Sequence, residues 1–120
     1  MIKVSTTIRQ SKRLLDAGIG IHTADFTNPI NTTPAWSVVA LIELMPTTLK
    51  IGDDEYNLVI HKWHDPEKDE VVYDIGYDDY HNFSLKAFEC YKHLLDAVVD
   101  MMEWLLSTGN IKGLKGGNDE

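Results

Sequence analysis

The sequence predicts an α+β fold: three main helices, two N-terminal and one C-terminal, packed as a second layer on a small antiparallel meander of three to four strands. Three observations carry this. Residues 33–46 form an almost wholly apolar stretch between two prolines, with Glu43 as its one charge. Between Leu49 and Ala87 the apolar period becomes two, punctuated by short turn signals. Residues 91–108 then return to a helical period with separated apolar and charged faces.

The first helix spans about residues 7–17. Thr7 with Gln10 three positions on is a capping-box pattern, and Gly18 suits a left-handed stop. Ile8, Leu14 and Leu15 supply its buried stripe, with Arg9, Lys12, Arg13 and Asp16 outside. Residues 19–32 form a long loop, with Ile21, Phe26 and Ile30 as expected anchors and a short turn at Thr23-Ala24-Asp25. In the central helix Thr33 is the expected cap, Pro34 the first helical residue and Pro46 the stop. So apolar a helix belongs in a core, with Trp36 and Leu41 among its buried residues.

Leu49 and Ile51 flank Lys50, and Gly52-Asp53-Asp54 signals a turn. Residues 56–63 read as a strand, with Tyr56, Leu58 and Ile60 on one face and Asn57, Val59, His61 and Trp63 on the other. A turn at residues 64–69 leads to a second strand through Val71, Tyr73, Ile75 and Tyr77, and Phe83, Leu85 and Ala87 suggest a third. Short turns between consecutive strands imply an antiparallel meander. In the last helix Leu94, Val98, Met101 and Leu105 form the apolar stripe, widened by Leu95, Met102 and Leu106, and Gly109 ends it. Residues 1–111 make one domain, and residues 112–120, with three glycines, a flexible tail.

A chain of 120 residues with 43% hydrophobic and 25% charged residues has the composition of a globular domain with one core. Cys90 is the one cysteine, which excludes an intramolecular disulfide. The first residues lack a signal-peptide core, and no apolar run approaches the roughly 20 residues that span a bilayer. A cytoplasmic location is the expectation. The net charge of −8 disfavours direct binding to nucleic acid or an anionic membrane.

No reactive constellation stands out. His61 and His64 with Asp65 carry metal-ligand chemistry, but positions three apart on a strand face opposite sides, so no metal site is expected. His22, His81 and His93 are scattered. Cys90 reads as a half-buried residue at a strand–helix junction, and Trp36, Trp63 and Trp104 as core or half-buried residues. The 19–32 loop is long enough to bind something or to close over the core as a lid. A pocket between it and the sheet would draw on His22, Asp25, His61 and His64.

Pro34-Ala35-Trp36-Ser37 leading to Leu44-Met45-Pro46, and Leu94-Leu95-Asp96-Ala97 leading to Met102, Trp104-Leu105-Leu106 and Gly109, resemble a family of small uncharacterised proteins from prophages and mobile elements of anaerobic gut bacteria. Gln10-Ser11, Leu14-Leu15, Gly18 and Thr23-Ala24-Asp25 extend the resemblance, which covers about residues 7–111. Arg9 in place of an acidic residue and Phe26 in place of Met depart from the pattern. The resemblance implies an accessory protein and carries over no activity, cofactor or catalytic residue.

The expected function is therefore a non-enzymatic interaction module for another protein, a monomer or weak homodimer, with no cofactor. The alternatives are a small enzyme or ligand-binding protein using the loop–sheet pocket, and an acidic nucleic-acid mimic that inhibits a DNA-binding protein.

Overall fold

The computed structural model describes residues 4–111. The expected tail at residues 112–120 lies outside them. Helix α1 (Ile8–Ala17) begins with the full capping box: Thr7 Oγ1 accepts from the Gln10 amide and Gln10 Oε1 from the Thr7 amide. Gly18 closes it at φ 108°, a left-handed conformation that costs glycine little. A 3-10 turn (Ile21–Thr23) follows, then β1 (Phe26–Thr27), β2 (Pro34–Ala35) and α2 (Val38–Leu44). Strands β3 (Thr48–Ile51), β4 (Asp54–Asp65), β5 (Glu70–Asp78) and β6 (Ser84–Tyr91) precede α3 (Leu94–Ser107). The fold is α+β, with three helices and two antiparallel sheets among the described residues; the larger sheet curls like half a barrel.

The four longer strands pair in chain order, each with its sequence neighbour. Gly52, at φ 63°, and Asp53 make the two-residue turn between β3 and β4. Core residues come from every layer of the chain: Leu14, Ile19, Trp36, Leu41, Leu49, Ile75 and Tyr77 meet Leu95, Val98, Met101, Met102 and Leu105 of α3. Helix α3 packs on β5, β6, α1 and α2 and is the hub of the domain.

The central helix departs from its sequence signals. Thr33 and Pro34 do not start it: Pro34 pairs with Thr27, and Ala35 with Phe26, in the small β1–β2 sheet. The cap is Ser37, whose Oγ accepts from the Ala40 amide. The helix is also not buried all round, since Val39 is 64% exposed and Leu41 is its one fully buried residue. In α1, Ile8 is exposed and Ser11 takes its place on the inner face. Ile21, Phe26 and Ile30 do not anchor the loop; all three are exposed, and Ile19 is the side chain that enters the core. Strand β4 runs on through His64 and Asp65, where a turn was expected, because the ladder to β5 continues unbroken to Asp65–Glu70. Tyr91 ends β6 rather than opening α3.

Candidate functional site

A cleft of about 560 Å3 lies between α1, α3 and β6. Ala17, Phe88 and Trp104 give it apolar walls; Arg13, Asp16, Asp100 and Glu103 give it charge, with Ser107 at the end of α3. Its place follows from helix periodicity. Arg13 lies on the outer face of α1, and Asp100 and Glu103 lie three apart on one face of α3, so packing α1 beside α3 brings opposite charges together.

Arg13 Nη2 donates to Asp100 Oδ1 at 2.8 Å and also to Glu103. The two acceptors raise the guanidinium's already high pKa, and it stays charged under all ordinary conditions. Asp100 Oδ2 accepts from the Tyr91 hydroxyl at the end of β6. Burial, and then the hydrogen bond and negative charge of Asp100, push the Tyr91 phenol well above its ordinary value. Gln10 Nε2 donates to Asp96 Oδ1 at 2.7 Å, a second polar tie between α1 and α3. Phe88 stands edge-on to Tyr91, and Lys86 Nζ lies 5.0 Å from its ring centroid. The cleft therefore combines aromatic surface with three carboxylates and one guanidinium, and that guanidinium is already engaged by two of them.

A second group of polar residues lies on the sheet face that carries Trp63. Trp63 Nε1 donates to Asp74 Oδ2 at 2.8 Å, His61 Nδ1 is 3.7 Å from the same oxygen, and the Cys90 amide donates to Asp74 Oδ1 at 2.9 Å. Cys90 sits in an irregularity of the β5–β6 ladder at φ 64°, and it is exposed rather than half-buried. Asp74 thus holds a distorted strand and orients an indole.

The four residues of the expected loop–sheet pocket fall into separate contact sets. His22 lies exposed in the 3-10 turn. Asp25 accepts from the Ser37 amide at 2.8 Å and from its hydroxyl at 2.5 Å, which supports the start of α2. Desolvation pushes the Asp25 carboxyl up, and these two hydrogen bonds more than reverse it, leaving it below the ordinary carboxylate range. His61 belongs to the Asp74 group, and His64 pairs with Asp69 at 2.9 Å across the β4–β5 turn. Their alternating positions on β4 place His61 and His64 on opposite faces. Among the described residues no group of three or more His, Cys, Asp or Glu is placed to hold a metal ion. No helix of the described residues is long and apolar enough to cross a membrane.

Sequence reasoning missed the cleft residues Arg13, Asp16, Phe88 and Trp104. The usable signal was the pairing of basic and acidic faces on the two amphipathic helices. Comparison with family models, with curated proteins and with solved structures finds no match for this chain.

Proposed function

We propose that this protein is a non-enzymatic interaction module that binds another protein through the α1–α3–β6 cleft. The observation that carries the reading is the state of the cleft's polar groups. Arg13, Asp100, Glu103 and Tyr91 satisfy one another, so none is poised as a base, nucleophile or oxyanion donor. What remains for a partner is apolar surface on Ala17, Phe88 and Trp104, rimmed by acidic groups. A partner side chain with an apolar stem and a cationic tip, lysine or arginine, fits that lining. The resemblance of the two apolar helices to mobile-element proteins supports an accessory role in a prophage or similar element.

The test uses two exposed rim positions. Asp16→Arg and Ser107→Arg add positive charge at the cleft without touching the core. Quantitative capture from a native host extract compares the parent with each variant, alongside thermal melts. The reading expects a specific protein held by the parent and released by both variants, with unchanged melts. Capture that is indifferent to both substitutions sinks it.

A second reading, the nucleic-acid mimic, draws on one observation. Asp53, Asp54, Glu55 and Asp79 gather around a single depression at the end of the sheet. Competition by the protein for a DNA-binding enzyme, abolished by Asp53→Asn with Asp54→Asn, would favour it over the cleft.

A further inference from the structure

Strand β4 is 12 residues long, whereas β3 is 4 residues long and covers only its first part. The β3–β4 register runs from Ile51–Asp54 to Thr48–Asn57, and one further bond joins the Leu58 amide to the Thr47 carbonyl. Beyond Leu58 the side of β4 facing away from β5 has no strand beside it among the described residues. The direction of the free groups follows from that last bond. Leu58 points its amide toward β3, and along a regular strand every second residue does the same. The amides and carbonyls of Ile60, Lys62 and His64 therefore face outward over about 14 Å, at about 3.4 Å per residue. No turn, loop or cap backbone bond reaches these amides among the described residues.

The side chains beside this edge suit an added strand. Val59 is 42% exposed, Ile60 38%, and Val71, opposite His64, 44%. Natural edges of this kind are blunted by shortening, bulges, covering elements or charged side chains, lysine above all. Here the β4–β5 ladder is regular from Asn57 to Asp65. Lys62 stands midway along the open edge, and it has no carboxylate partner among the described residues. In the two-fold antiparallel register that uses the whole open stretch, Lys62 would face the same lysine of a second copy. Like charges directly opposite destabilise strand pairing. The edge is therefore set against self-association and toward a strand with an acid at that place.

We propose that the open edge of β4 at Ile60, Lys62 and His64 binds an extended segment of a partner protein as an added antiparallel strand, with an acidic side chain of that segment opposite Lys62. Backbone pairing supplies the general attraction and the lysine selects the sequence. This surface is separate from the α1–α3–β6 cleft, so either can fail while the other stands.

The probe is a blocked heptapeptide, Thr-Val-Thr-Glu-Thr-Val-Thr, whose central glutamate shares a face with its two valines. A control peptide has lysine in place of glutamate. Amide exchange in the full chain is followed by NMR at Ile60, Lys62 and His64. The glutamate peptide should slow exchange at these three amides saturably, and more strongly than the lysine peptide. In Lys62→Glu the preference should reverse. In Lys62→Pro, which removes an outward amide and leaves the β5 ladder intact, protection of Ile60 and His64 should fall severalfold. Retained slow exchange at His61 and Trp63 shows that the hairpin survives the proline; if it does not, the Lys62→Glu reversal decides. Absence of protection at saturating peptide overturns the proposal. So does equal protection by both peptides that Lys62→Glu leaves unchanged. Protection that is already present without peptide and grows with protein concentration also overturns it, because the occupant is then a second copy.

Discussion

Thr6 and Trp36 hold each other through their backbones and one hydroxyl. The Thr6 amide donates to the Trp36 carbonyl at 2.9 Å, and Thr6 Oγ1 accepts from the Trp36 amide at 3.0 Å. The pair ties the segment before α1 to the segment before α2, and both residues are buried. The indole reaches further and donates from Nε1 to Thr23 Oγ1 at 2.8 Å, which fastens the 3-10 turn to the same tryptophan. One side chain thus organises three segments that are far apart in sequence.

Thr6→Val keeps the shape and removes the hydroxyl. The Trp36 amide then has no acceptor in a buried place, and the Ser11 hydroxyl loses its 2.7 Å contact. The expected loss is about 1–3 kcal/mol, the cost of stranding a buried donor. Thr6→Ser, which keeps the oxygen, should lose much less. Urea melts of both variants and the parent measure the difference.

Leu41→Ala should cost roughly 2–5 kcal/mol, because large-to-small changes in a core lose transfer energy and leave a cavity. Leu41 is fully buried, and it is the one residue of α2 that is. Val39→Ala, on the exposed side of the same helix, should change stability by under about 0.5 kcal/mol. Equal effects in urea melts would mean that α2 packs in some other orientation.

What the sequence showed well were the features written locally. The capping box of Thr7 and Gln10, the Gly18 stop, the period-two strands and the amphipathic face of α3 each depend on neighbours within a few residues. The start of α2 depends on distant ones. Thr33-Pro34 is as good a local helix start as Ser37, but Thr27 pairs with Pro34, Thr6 engages Trp36 and Asp25 holds Ser37. The loop residues Ile21, Phe26 and Ile30 failed as anchors for a related reason: the loop is fixed by the hydroxyl of Thr23 and the carboxylate of Asp25, not by burying its apolar side chains. The cleft needed a tertiary fact, that α1 lies beside α3, before its charges could be read as one cluster.

Ser37 links cap and loop, and this connection should make α2 sensitive to acid. Its hydroxyl accepts from the Ala40 amide and donates to Asp25. Ser37→Ala should cost about 0.5–2 kcal/mol, as lost caps do. The Asp25 carboxyl is lowered in the folded state, so its contribution is present above the unfolded pKa of about 3.9 and is lost as pH falls through the folded value. Melts between neutral pH and strong acid should therefore show a shallower acid decline in Asp25→Asn than in the parent, with the difference confined to the region below about pH 4. Parallel declines would show that Asp25 is as free in the folded chain as in the unfolded one.

Asp100 is the shared acceptor of the cleft, and replacing it with asparagine separates charge from shape. Arg13 keeps Glu103, and its side chain is 39% exposed, so the lost ion pair should cost only about 1 kcal/mol and less in high salt. The clearer signal lies in Tyr91. Its phenol is raised by burial first and by Asp100 second, so Asp100→Asn should lower its titration midpoint without returning it to the free value. The sign for stability follows. A phenol raised in the folded state contributes stability that is whole below its unfolded pKa of about 10 and is lost as pH rises through the folded value. Both proteins should begin to lose stability near pH 10, and Asp100→Asn should stop losing it at a less alkaline pH and lose less in total than the parent. Phenolate absorbance, with Tyr91→Phe as the background to subtract, measures the shift. An unchanged midpoint would separate Tyr91 from Asp100 and reopen the cleft to a reactive role for the carboxylate.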